Sequence, residues 1–100
     1  MEEKRVHPRV SVSIEVICER AAGPSVKGVV TDLSVGGMFV ESGATMSFGD
    51  ELTVVVTFSS AEGPVRLPAV VRWTKPGGFG VQFGLLGARE THALTNMMRR

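Results

Sequence analysis

Between Val10 and Cys18 the chain alternates between apolar and polar positions. Val10, Val12, Ile14, Val16 and Cys18 are apolar, while Ser11, Ser13 and Glu15 fall between them and Glu19 follows. A period of two is that of a strand with one buried face, so Val10–Glu19 is read as a strand. Ile17 breaks the polar side and is expected to cover a sheet edge. Ala21–Ser25 holds Gly23 and Pro24 and predicts a turn. A second strand is expected over Val26–Thr31, with Gly28 at a bulge or a barrel bend. A short third strand, Met38–Glu41, follows a polar, glycine-bearing turn over Thr31–Met38.

The loop Ser42–Asp50 leads into Glu51–Phe58, rich in valine and threonine and the cleanest strand pattern in the chain. Ser59–Pro64 predicts a turn and Val65–Trp73 a fifth strand, in which Pro68 marks an edge or a bulge. Lys75-Pro76-Gly77-Gly78 is a strong turn signal, and Phe79–Phe83 is the sixth strand. Six short strands at spacings near ten residues indicate a small antiparallel barrel or sandwich. The pattern then changes. Ala93, Leu94, Met97 and Met98 fall on one side of a helix within Gly87–Arg100, ending at about residue 98. Arg99 and Arg100 suit its C-terminal dipole. This helix is expected to pack across one open mouth of the barrel, its methionines serving as core filler.

Composition narrows the function. One hundred residues suffice for one domain with one core, and 43% hydrophobic residues argue against disorder. A formal net charge of +1 gives no general pull towards nucleic acid or anionic membrane. Anion binding must then come from a few placed residues. Cys18 is the single cysteine, so no internal disulfide forms, and a buried, reduced thiol fits a cytoplasmic protein. The charged start Met1–Arg5 leads into no apolar signal segment. No apolar run approaches the ~20 residues of a membrane span. Catalysis is not indicated either. His7 and His92 have no partners at metal-ligand spacing, Ser34 lacks a nucleophile-elbow context, and no phosphate-cradling P-loop is present.

What remains suits recognition. Residues 1–9 are polar and basic, and Pro8 disfavours a helix there, so they are read as a flexible loop ahead of the domain at 10–100. Arg5 and Arg9 lie four extended steps apart, a span of at most ~14 Å. Their planar guanidiniums bond bidentately to phosphate or to a guanine edge. Asp32 and Ser34 sit two apart, so in extended backbone they share a face. Asp32 can accept from guanine N–H groups, and Ser34 with the amides around Gly36 and Gly37 can bond phosphate or ribose oxygens. Both glycines permit conformations closed to other residues and close approach of a ligand. The same stretch is also satisfied as a plain β-turn, with Asp32 and Ser34 bonding nearby amides.

The order Arg5-x-x-x-Arg9 then Asp32-x-Ser34-x-x-Gly37, with Met38-Phe39-Val40 and the late Gly80-Val81-Gln82-Phe83, resembles the PilZ domain across essentially the whole chain. The resemblance implies a six-stranded antiparallel barrel with a C-terminal helix that binds cyclic di-GMP. It would place Arg5 and Arg9 on the guanines and phosphates, Asp32 and Ser34 on a guanine edge, and Gly37 where the backbone comes close to the ligand. Lys4, a basic residue just before the first arginine, leans towards two stacked ligand molecules rather than one. No tyrosine is available for stacking; His7 and Trp73 are the substitutes.

The expectation is a receptor and adaptor that orders its arginine loop on binding and signals to a separate effector protein, with no enzyme activity, metal or cofactor. A ligand-independent PilZ-like interaction module is the alternative. A nucleic-acid-binding barrel is disfavoured by the low net charge, one tryptophan and no tyrosine.

Overall fold

The computed structural model describes residues 9–21, 23–57 and 63–98. The alternating stretches become six strands, β1 (Val10–Arg20), β2 (Val26–Leu33), β3 (Gly37–Glu41), β4 (Glu51–Thr57), β5 (Pro64–Lys75) and β6 (Gly78–Phe83). They close into a barrel in the order β1-β2-β3-β6-β5-β4, every neighbouring pair antiparallel. Closure gives every strand two neighbours and removes the sheet edges on which foreign strands add.

Two readings change for that reason. Ile17 covers no edge: it pairs with Lys27 of β2 on one side and Val55 of β4 on the other. Pro68 is not on an edge strand either, since it pairs with Thr53 of β4. Its carbonyl accepts from the Gly84 amide at 2.8 Å, just past the last residue of β6. The missing proline N–H therefore falls where the ladder has already run out, and it costs little. Gly28 lies at no bulge. It is buried at a crowded crossing, where a Cβ would meet Val40 Cγ1 at 2.5 Å and the Glu41 carbonyl at 3.0 Å.

The inward positions form one core: Val16, Cys18, Val30, Leu33, Val40, Leu52, Val54, Val56, Leu67, Val71, Phe79 and Val81 among them. Burying each aliphatic side chain of this kind contributes about 1.5–3 kcal/mol. Cys18 is fully buried within it, and that burial pushes its thiol up to about 11, so it stays protonated and inert. The helix α1 (Ala88–Met98) closes one mouth. Leu94 and Met97 line one small internal cavity together with Ile14, Val30, Leu33, Met38 and Val56, from four different strands. Arg99 and Arg100 lie outside the described residues.

Three registers slip by one residue. The shifts fall between Ser11 and Ile14 in β1, between Val30 and Asp32 in β2, and between Val71 and Trp73 in β5. Each inserts an extra residue, the definition of a β-bulge. The two in β2 and β5 decide what faces the solvent beside β3 and β6.

Candidate functional site

Strict alternation in β2 would carry Gly28, Val30 and then Asp32 inward. The extra residue at Thr31 resets the phase, so Leu33 enters the core and Asp32 turns out. The same happens in β5. Val65, Leu67, Ala69 and Val71 are buried in step, and the bulge at Arg72 sends Trp73 outward, where it is 45% exposed. Two bulges thus aim an acid and an indole at one patch of the outer wall.

On β6 the outward positions are Gly78, Gly80 and Gln82, alternating with inward Phe79, Val81 and Phe83. Two of the three carry no side chain, and neighbouring rings lie over them. A Cβ on Gly78 would meet the Phe39 ring, and one on Gly80 would strike the Trp73 indole inside contact distance. Phe39 and Trp73 stack with centroids 5.1 Å apart and planes 21° from parallel. Lys75 places its Nζ 4.9 Å from the Phe39 centroid. That contact contributes about 0.5–1 kcal/mol at an exposed site.

The result is an open groove of about 510 Å³, lined by Arg9, Asp32, Ser34, Gly36, Gly37, Phe39, Arg72, Trp73 and Gln82, over buried Leu33, Met38 and Val81. Arg9 Nη1 stands 3.5 Å from Asp32 Oδ2, with both side chains partly exposed. Such a pair contributes at most ~1 kcal/mol, weak enough for a ligand to rearrange.

Asp32 belongs to the end of β2, paired with Ser11 and Phe39, so the turn is shorter than Thr31–Met38. Ser34 organises what remains of it. Its Oγ accepts from the Gly36 amide at 3.1 Å and the Gly37 amide at 3.2 Å, while its own amide donates to the Gly37 carbonyl at 2.9 Å. These two amides are therefore engaged by Ser34, not held open for a phosphate. The positive-φ residues among those described are Gly23, Gly49, Gly63 and Gly77, so neither Gly36 nor Gly37 needs left-handed backbone. Gly37 is required for another reason: a Cβ there would collide with the Val81 carbonyl of β6.

Of the residues expected to form the site, Arg9, Asp32, Ser34, Gly36 and Gly37 come together around one groove. Lys4, Arg5 and His7 lie outside the described residues. Motif spacing does not point to Phe39, Arg72 or Gln82. The signal that does is the glycine at alternate outward positions of β6, which leaves room for side chains from β3 and β5. Among the described residues no cluster of His, Cys, Asp and Glu could hold a metal ion. No described helix is long and apolar enough to cross a membrane.

The chain matches the family model of the PilZ domain over residues 3–100. Solved structures share its fold. The PilZ domain of CeSA from a cellulose-synthesising bacterium superposes with a TM-score of 0.74 at 20% identity, over 92% of this chain and 95% of that one. The PilZ domain of YcgR from Escherichia coli, solved with c-di-GMP, gives 0.82 at 13% identity, over 97% and 90%. The MrkH–c-di-GMP complex from K. pneumonia gives 0.78 at 14%, over 98% of this chain and 51% of that one. No curated protein matches the sequence. With nearly its full length covered by the family model, and a six-stranded barrel capped by a C-terminal helix, this chain belongs to the PilZ domain family.

Proposed function

We propose that the protein is a receptor for cyclic di-GMP and that its ligand lies in the groove between Arg9–Asp32 and Trp73. The observation that carries this reading is the convergence of Arg9, Asp32, Ser34, Gly36 and Gly37 with an exposed indole around one opening on the barrel wall. A guanine nucleotide needs acceptors for its N–H edge, a flat surface for its ring and cations for its phosphates. Asp32, Trp73 and the arginines supply these in turn. Two PilZ structures that share the fold hold this ligand, which supports the same choice here.

The arginine loop, residues 1–9, closes over the ligand as a second wall, with Arg5 joining Arg9 and Lys4 favouring a second, stacked molecule. No chemistry is performed. The protein acts as a cytoplasmic adaptor, and an effector protein reads the surface that loop closure creates.

Calorimetric titration of the purified chain with cyclic di-GMP is expected to give a saturable heat at tens of micromolar ligand, with one or two molecules per chain. Absence of any heat sinks the receptor reading. Arg9→Ala is expected to weaken binding about tenfold to a hundredfold, the ~1–3 kcal/mol of one bidentate contact, with the barrel intact. Hydrogen exchange over residues 1–9 is expected to slow with ligand; equal exchange in both states would sink loop closure alone.

One observation favours the alternative, a ligand-independent interaction module. Asp32 is already paired with Arg9, and Ser34 already caps its own turn, so both have a structural use without ligand. The same titration separates the two readings.

A further inference from the structure

We propose that Arg72, braced by Gln82 and Phe48, is a second cationic pole of the groove and binds a phosphodiester oxygen of the ligand. This rests on the receptor reading and adds to it a residue outside both sequence motifs.

The two described arginines that line the groove are in different electrostatic states. Arg9 faces the Asp32 carboxylate at 3.5 Å, so a phosphate approaching it meets a neighbouring negative charge. Arg72 pairs with no carboxylate among the described residues. Its Nε donates to Gln82 Oε1 at 2.8 Å, a neutral amide that orients the group without cancelling its charge. With Nε committed, the two Nη groups form the end-on fork that matches a phosphate.

Phe48 supplies the second brace. It is 70% exposed, a placement that burial does not explain, and its ring centroid lies 6.0 Å from the Arg72 guanidinium carbon. An arginine held on two sides loses less freedom when it binds than one that is free to swing. The β5 bulge puts Arg72 directly before Trp73 on the same outer wall, and both line the groove. A stacking surface and a phosphate fork are therefore adjacent, as a base and its phosphate are in a nucleotide. Arg9 and Asp32 then serve the guanine edge, and Arg72 serves the phosphate.

The test is a titration of the full chain with cyclic di-GMP at low and at physiological salt. Arg72→Ala is expected to bind at least tenfold more weakly and with a shallower salt dependence, because one fewer fixed cation meets the ligand. Arg72→Lys, which keeps the charge and loses the fork, is expected to fall between. Gln82→Leu and Phe48→Ala are expected to weaken binding a few-fold with the wild-type salt dependence, since they loosen the cation without removing it. All three positions are exposed, and melting curves of the four variants are expected to overlay the wild type. Binding by Arg72→Ala within twofold of wild type overturns the proposal and leaves the receptor reading standing. So does weaker binding with an unchanged salt dependence, which would assign Arg72 a packing role only. No heat from the wild-type chain removes both readings together.

Discussion

The barrel has a regular side and an irregular side. Along β1–β4 and β4–β5 the registers run without interruption, from Val16↔Val56 to Arg20↔Leu52 and from Glu51↔Val70 to Thr57↔Pro64. Around β2, β3, β6 and the end of β5, bulges interrupt three ladders, β1–β2, β2–β3 and β5–β6. The regular side buries every second residue and leaves its outer wall to scattered polar groups such as the Arg66–Glu19 ion pair. The irregular side carries the groove. Unbroken alternation can only sort residues into core and solvent, whereas a bulge changes which residue points where. A site needs the second.

The largest effect that would sharpen this contrast lies in the shared core. Phe79, 1% exposed, is expected to cost about 3–5 kcal/mol on substitution by alanine, since removing a buried ring leaves a cavity. Chemical denaturation measures it, and a loss below 1 kcal/mol would show that the groove side does not share the core of the regular side.

Next is pH. The Cys18 thiol is raised in the folded protein from 9.0 to about 11 by burial. Below the unfolded value both states are protonated and the thiol has no effect. Between 9 and 11 only the unfolded chain loses its proton, so stability falls as pH rises through this window. The loss is on the order of 2 kcal/mol by pH 11. Melting curves of wild type and Cys18→Ala across this window should diverge, and parallel curves would refute it.

Gly37→Ala pushes a methyl into the Val81 carbonyl and is expected to destabilise by about 1–3 kcal/mol. That cost appears without ligand, which separates a glycine demanded by strand packing from one demanded by ligand approach. An unchanged midpoint would return Gly37 to the ligand.

The smallest effect on stability, and the sharpest on the comparison, is Gly80→Ala. The new Cβ strikes the exposed Trp73 ring, which is free to swing outward, so the fold is expected to lose no more than ~1 kcal/mol. Ligand binding is expected to fall by at least tenfold because the stacking surface has moved. Tryptophan fluorescence reads the displacement directly, and an unshifted spectrum with full binding would exclude Trp73 from the site.

Much of this architecture was legible in the residues. Alternation over Val10–Cys18 and Glu51–Thr57, turn signals near Gly23, Gly63 and Gly77, and the apolar side of the helix follow from periodicities that any solvent-exposed fold obeys. The pairing of Arg9 with Asp32 was legible as two motifs, although no spacing rule says that they touch. The outward turn of Asp32 and Trp73 was not legible, because period two predicts the opposite face for each. The one hint is that Val30 and Leu33, three apart, are both apolar. Motif spacing missed Phe39, Arg72 and Gln82 for a different reason: they join the site through strand order, β6 lying between β3 and β5, and the alternate glycines of β6 are the one trace of it in the sequence.

What the sequence determined by itself is therefore the set of elements, their buried faces and a short inventory of groups able to meet a guanine nucleotide. Local physics suffices there, since hydrophobic period and turn chemistry act between residues close along the chain. Tertiary structure alone decided three things. It removed the edges at Ile17 and Pro68 by closing the barrel. It used two inserted residues to rotate Asp32 and Trp73 outward. It also gave Gly37, Gly78 and Gly80 the task of clearing space for atoms of other strands. Each depends on cross-strand register, a property of two segments far apart in the chain, and no reading of either segment alone contains it.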